Sequence, residues 1–139
     1  MQFPQIVVVE HESLLIRLLR PVAEARRWFV REPRRLQTCL KLLQAHPGVL
    51  VLRPGRKPAR DLEFIAETRG HCPDAGIVAV CDVDQQALVA EAWHLGADFV
   101  IRPPQLRDWL PDITGALMDA ALTRRRQAAG RAALVEEQA

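Results

Sequence analysis

The sequence is short of most features by which a chain announces its chemistry. No apolar run approaches the ~20 residues needed to span a bilayer. The opening Met1-Gln2-Phe3-Pro4-Gln5 has neither the basic segment nor the apolar core of a signal peptide. The expectation is a cytoplasmic protein with no membrane attachment. There is no Gly-x-Gly-x-x-Gly and no Walker loop, so no phosphate cradle for a nucleotide is written here. Cys39, Cys72 and Cys81 are odd in number and widely spaced, with no Cys-x-x-Cys. That pattern argues against a disulfide framework or a zinc site and for reduced thiols. A large charge of one sign is also missing. The net charge of +2 is too small to imply a nucleic-acid partner by itself. Lysine is scarce as well: only Lys41 and Lys57 stand beside seventeen arginines.

What is present is a core. With 139 residues and 49% hydrophobic side chains, the chain can build one domain but not two comfortable ones. Gln5-Ile6-Val7-Val8-Val9 is a continuous β-branched run, as in a strand buried on both faces, and it ends at Glu10-His11. A helical pattern follows through Leu14, Leu15, Leu18, Leu19 and Val22. Pro21 falls inside it and predicts a kink or early break, since an interior proline costs ~3 kcal/mol. Trp28-Phe29-Val30 reads as a second strand, and Leu36, Leu40 and Leu43 mark a second helix that stops at His46-Pro47-Gly48. Val49–Leu52 is the third strand and runs straight into Arg53-Pro54-Gly55.

A third helix is expected over Asp61–Arg69, and a fourth strand over Ile77–Val80 that ends at Cys81-Asp82-Val83-Asp84. Asp82 or Asp84 would cap the fourth helix, Asp82 and Gln85 having capping-box spacing. Leu88, Val89, Ala92, Trp93 and Leu95 supply its apolar face, and Gly96 its stop. Phe99-Val100-Ile101 is the fifth strand. A last helix begins near Asp108, with Pro111 in its first turn. Strands alternating with helices throughout describe a flavodoxin-like (βα)5 doubly wound parallel sheet, strand order 2-1-3-4-5. Residues 1–122 form this domain. Residues 123–139 read either as a helical extension, favoured by alanine, or as a frayed tail, since Gly130 weakens a helix.

The ends of these strands resemble those of a bacterial response-regulator receiver (CheY-like) domain, over about residues 5–122. The most specific piece is Gly96-Ala97-Asp98-Phe99-Val100-Ile101-Arg102-Pro103, similar to the family's Gly-Ala-x-Asp-Tyr-x-x-Lys-Pro with one residue fewer before the aspartate. The resemblance implies a phosphoryl-accepting aspartate at the end of strand three. It also implies a magnesium ion held with an acidic pair at strand one, a Thr or Ser at strand four, a lysine and a switch aromatic at strand five, and a cis peptide before the proline. Transferred position by position, the acidic pair becomes Glu10 and His11, the acceptor Arg53, the hydroxyl Cys81, the lysine Arg102 and the aromatic Phe99. Pro103 is the cis-proline candidate, because only X-Pro bonds adopt cis cheaply.

These replacements remove the chemistry. A guanidinium is permanently protonated and offers only donors, so Arg53 accepts no phosphoryl group. Magnesium wants hard oxygen ligands, and one carboxylate remains at Glu10. Cys81 is a poor stand-in for a hydroxyl. The chain therefore resembles a pseudo-receiver, with no catalytic residues, no metal and no cofactor.

Its expected function is protein–protein interaction or regulation in bacterial signal transduction, independent of aspartyl phosphorylation. Partners would be a signalling protein, an output domain or a second copy. A homodimer would use helix four, strand five and helix five, the face carrying Trp93, Phe99 and Trp109. Two alternatives stay open. One is a phosphorylatable regulator with Asp82 or Asp84 as acceptor. The other is a small-molecule-binding domain using the strand-end crevice.

Individual residues carry rival readings of their own. Arg53 either pairs with Glu10 and replaces the missing charges, or is a solvated loop residue. Glu10, His11 and Asp82 either meet at a metal, or are a turn histidine and helix-capping carboxylates. Cys81 is a redox sensor if nearby arginines lower its pKa, and otherwise a small packing residue. His46, His71 and His94 have no ligand spacing and are surface residues. Arg17, Arg20, Arg26, Arg27, Arg31, Arg34 and Arg35 crowd the first third, but over two helices and a strand, as a solvated face rather than a nucleic-acid surface.

Overall fold

The computed structural model describes residues 3–82 and 84–138. Five parallel strands, β1 (Gln5–Val9), β2 (Phe29–Arg31), β3 (Gly48–Leu52), β4 (Gly76–Val80) and β5 (Phe99–Ile101), lie in the order β2-β1-β3-β4-β5. The helices are α1 (Leu14–Arg26), α2 (Leu36–Ala45), α3 (Pro58–His71), α4 (Gln86–Leu95) and α5 (Leu106–Gln138), with a 3₁₀ turn at Pro103–Gln105 before α5. The doubly wound sheet and its strand order are those expected from the sequence.

Alternation within the strands divides the core in two. Val7, Leu50, Leu52, Ile77 and Ala79 face α2, α3 and α4, packing on Leu43, Leu62, Ile65 and Ala92. Ile6, Val8, Val49, Val51, Val78 and Val80 face α1 and α5, packing on Leu15, Leu19, Leu110 and Met118. Every residue of β3 and β4 is buried, so both faces of the central strands need apolar side chains. The register sets Val9 opposite Leu52, Leu52 opposite Ala79 and Val80 opposite Ile101. The carboxyl ends of β1, β3 and β4 therefore emerge together, where Glu10, Arg53 and Cys81 stand.

Several local expectations are corrected. Helix α1 neither stops nor breaks at Pro21 but runs on to Arg26. Pro21 is solvent-exposed, while Leu15, Ile16, Leu19 and Ala23 are buried beside it. Burying such side chains contributes about 1.5–3 kcal/mol each for the large ones, which offsets one lost hydrogen bond. Helix α3 starts at Pro58, not Asp61, because proline at the first helical position loses no needed N–H. Helix α5 starts at Leu106, so Pro111 lies inside the helix, flanked by the buried Leu110 and Thr114. Helix α4 is not capped by Asp82 or Asp84: its N-cap is Gln85, with no side-chain cap. The peptide bond before Pro103 is trans, and no cis peptide occurs among the described residues. Arg102 has φ −93° and ψ 145°, the extended conformation a residue before proline prefers, and the 3₁₀ turn then redirects the chain. Beyond residue 122 the chain stays helical to Gln138.

Candidate functional site

The carboxyl end of the sheet carries charged side chains, several of them engaged in ways the sequence pattern did not specify. Glu10 does not pair with Arg53. Its carboxylate turns back on α1, where Oε2 accepts the Leu15 N–H at 3.1 Å and Oε1 the Ile16 N–H at 3.2 Å. Ser13, the N-cap residue, makes no side-chain cap, so Glu10 takes over that task. A carboxylate at the amino end of a helix also meets the favourable end of the macrodipole.

Arg53 is fixed by its backbone, whose N–H donates to the Val9 carbonyl at 2.9 Å. Its guanidinium reaches Asp82 instead of Glu10, with Nη2 3.5 Å from Oδ1. Asp82 is half exposed, so the pair contributes at most ~1 kcal/mol. The sheet order explains the choice of partner: β3 lies between β1 and β4, and the end of β4 offers an unpaired carboxylate while Glu10 is taken by α1.

His11 turns away from the centre. Its Nε2 lies 3.5 Å from Asp61 Oδ2, and its ring covers Gly55, where a Cβ would meet the imidazole at 2.1 Å. The same Asp61 oxygen accepts the Gly55 N–H at 2.7 Å and so ties the β3–α3 loop to α3. Asp61 had no assigned role in the sequence, though its place in the first turn of α3 is where a carboxylate is favoured. Cys81 is buried, and burial, reinforced by Asp82, pushes its thiol up to about 11. A redox role through a lowered pKa is thereby corrected, since a protonated thiol is a weak nucleophile. Arg102 is exposed and makes no side-chain hydrogen bond or ion pair among the described residues, and Asp84 is exposed too. Val83 lies outside the described residues.

Glu10, His11 and Asp82 thus face three different partners. Among the described residues no three His, Cys, Asp or Glu side chains are placed to share a metal ion. No helix there is long and apolar enough to cross a membrane.

The Gly96-Ala97-Asp98 segment proves to be structural. Asp98 Oδ2 accepts the Ile77 N–H at 2.7 Å and a 2.8 Å ion pair from Arg69 Nη2. The same guanidinium donates to the Gly96 carbonyl through Nε at 3.1 Å, and to the Pro73 and Ala75 carbonyls through Nη1 at 3.1 and 2.9 Å. Arg69 therefore ties together α3, the α3–β4 loop and the α4–β5 loop. Gly96 has φ +119°, and a Cβ there would lie 2.8 Å from Arg69 Cγ, so glycine is required twice over. Arg69 carried no sequence signal beyond its charge, because its partners come from three separate segments.

On the β5 side the three aromatics do meet. Phe99 makes edge-to-face contacts with Trp93, at 5.9 Å between ring centroids, and with Trp109, at 6.3 Å. Trp93 is 47% and Trp109 43% exposed, large values for indoles with no functional partner in the chain. At the opposite edge, Arg26 stacks on Trp28 and reaches Asp119 at 3.4 Å, and Arg31 stacks on Phe29. His46 accepts the Phe3 N–H, and His71 lies 3.2 Å from Glu67 one helical turn away.

No family model matches the sequence, and no curated protein does. Solved structures do match in fold. The signal receiver domain of an HD domain-containing protein from Pseudomonas fluorescens Pf-5 superposes with a TM-score of 0.73 at 15% identity, over 91% of this chain and 94% of that one. A protein described as pilus assembly-related, from Burkholderia pseudomallei K96243, gives 0.63 at 22% identity, over 86% and 91%. A CheY-like protein (tadZ) from Pseudomonas aeruginosa PAO1 gives 0.68 at 20% identity, over 82% and 98%. These likenesses show a CheY-like receiver fold.

Proposed function

We propose that this chain is a receiver-like module of signal transduction or regulation that works by binding protein, without accepting a phosphoryl group on aspartate. One observation carries the proposal: the end of β3 holds Arg53, with its guanidinium toward Asp82, while the Glu10 carboxylate at the end of β1 is bonded to the amides of α1. A cation held where a phosphoaspartate would form opposes magnesium binding and leaves no nucleophile there. The charges at the ends of β1 and β3 are each engaged within the chain, so this part of the sheet end holds its conformation without phosphate. The working surface is then the α4–β5–α5 face, where Trp93, Phe99 and Trp109 form an exposed aromatic cluster of the kind enriched in interface hot spots.

The test is to incubate the protein with acetyl phosphate and Mg²⁺, then map adducts by mass spectrometry. No phosphoryl adduct is expected on any aspartate. An aspartyl phosphate at Asp82 or Asp84 would overturn the proposal in favour of a live regulator with a displaced acceptor.

A further inference from the structure

Helix α5 outruns the body it packs on. Arg124 and Arg125 hold it to the carbonyls of Asp74, Leu43 and Gln44, and every residue from Arg126 to Glu137 beyond them is exposed. Leu134 and Val135, at 57% and 68%, are the most exposed large hydrophobic side chains among the described residues. A lone helix of this length, about 20 Å, is marginal in water unless a face is covered. Gly130 weakens it by a further ~1 kcal/mol relative to alanine. Nothing in the chain lies within 4 Å of where the Gly130 Cβ would be.

A second surface also lacks cover. Helix α4 is apolar at seven of its ten positions, yet only Ala92 is buried. A helix apolar on nearly all sides is normally enclosed. Toward α3, its residues Ala87, Leu88, Glu91 and Leu95 line an open groove of about 370 Å³ with Pro58 and Leu62. Trp93 is on the far side of α4, so the groove is separate from the aromatic cluster.

The end of α5 matches this groove in shape and in charge order. Arg131, Leu134 and Val135, at i, i+3 and i+4, share one face of the helix, and Glu137 lies one turn beyond Leu134. At the carboxyl end of the sheet the groove is positive. Arg56 and Lys57 precede α3, and the amino ends of α3 and α4 meet there, neither with a side-chain cap. Glu91 supplies a negative charge farther along. A helix running antiparallel to α3 and α4 therefore sets Glu137 at the positive end, Arg131 on Glu91, and Leu134 and Val135 between them. The spacings agree: Arg131 and Glu137 are about 9 Å apart along α5, and Glu91 is about 7.5 Å from the start of α4. A parallel helix would reverse both pairings. Arg56, Lys57, Glu91, Arg131 and Glu137 are all exposed, with no side-chain hydrogen bond or ion pair among the described residues, so no internal contact competes.

The chain cannot fill its own groove. Helix α5 packs with α1 on one face of the sheet, the groove is on the face of α2, α3 and α4, and α5 runs unbroken to Gln138. The occupant is a second copy.

We infer that the α3–α4 groove of one copy takes the projecting end of α5 from another, with Leu134 and Val135 in the groove and Arg131 against Glu91. The contact is heterologous, tail to groove. It leaves the aromatic face free and does not depend on what binds there. Its area is small, and a dissociation constant on the order of 10–100 µM suits interfaces below ~1,200 Å².

Sedimentation equilibrium of the full chain across that range should show reversible self-association. Leu134→Asp with Val135→Asp should abolish it. Glu91→Arg and Arg131→Glu should each weaken it by at least about tenfold, by setting like charges together. The double variant carrying both reversals should recover it. An equimolar mixture of the two single variants should form a 1:1 pair, since one supplies the reversed groove and the other the reversed tail. All these positions are exposed, so unchanged melting curves show that the fold is intact. A monomer throughout the range overturns the inference, as does association indifferent to these changes or not recovered in the double variant and the mixture. Association lost only on Trp93→Ala with Trp109→Ala also overturns it and assigns the contact to the aromatic face.

Discussion

Arg53 and Arg69 show how little a residue's type says about its weight. Arg53 occupies the position of greatest functional interest, yet it makes one ion pair at 3.5 Å with a half-exposed aspartate. Arg69 carries no motif, yet it serves three backbone carbonyls and Asp98. Arg53→Ala should change the free energy of unfolding by less than ~1 kcal/mol. Arg69→Ala should cost about 2–3 kcal/mol, because charged hydrogen bonds are lost and several carbonyls are left without partners. Urea denaturation of the two variants checks the contrast, and equal effects would reverse this ranking. The thiols supply a second test. Burial raises Cys39 from 9.0 to about 12 and Cys81 from 9.0 to about 11, so the folded chain keeps protons that the unfolded chain releases. Their contribution to stability is complete below pH 9 and falls as pH rises through the folded values. Urea midpoints should drop between pH 7 and about pH 10.5, less steeply in Cys81→Ala than in the native chain.

At the scale of elements, helix ends are finished by side chains from elsewhere. The amino end of α1 is capped by Glu10 from the end of β1. The carboxyl end of α2 is capped twice: Gln5 of β1 donates to the Leu42 and His46 carbonyls, and Arg125 of α5 to those of Leu43 and Gln44. Cations belong at that end of a helix on electrostatic grounds as well. Glu10→Ala should destabilise by about 1–2 kcal/mol through loss of a charged cap. The same change should leave the response to Mg²⁺ unaltered, since this carboxylate is bonded to amides. A large Mg²⁺-dependent gain in melting temperature that Glu10→Ala abolishes would show that Glu10 is a metal ligand after all. Gly96→Ala should cost about 1–3 kcal/mol, combining a left-handed φ with the 2.8 Å approach to Arg69.

Across the whole molecule, the proposed function sets a strand end that carries Arg53 apart from an exposed aromatic surface. Trp93→Ala with Trp109→Ala removes much of the proposed interaction surface and little of the core, since both rings are more than two-fifths exposed. Those changes should shift the melting midpoint little while abolishing binding of any partner that uses this face, measured by calorimetry once that partner is in hand. Loss of fold in the double variant would instead make the cluster structural.

Strand positions, their order and the fold were legible in the sequence because they rest on local periodicity. Continuous apolar runs such as Val49–Leu52 and Ile77–Val80 are buried on both faces only as central strands, and loops of these lengths leave one practical winding. The chemistry of Arg53, Cys81 and Arg102 was legible too, since a guanidinium or a thiol behaves alike in any fold. Partner choice was not. Whether Glu10 faced Arg53 or α1, whether Asp82 capped a helix or met an arginine, and whether Arg69 mattered at all depended on distances between segments 21 to 29 residues apart or on competition for one carboxylate. Charge pairing is decided by geometry at the ångström scale, and only the assembled sheet sets those distances. Pro21 and Gly130 mark the same divide. The sequence supplies their backbone cost, and only the tertiary structure shows that buried neighbours outweigh the first, and that nothing within the chain calls for the second.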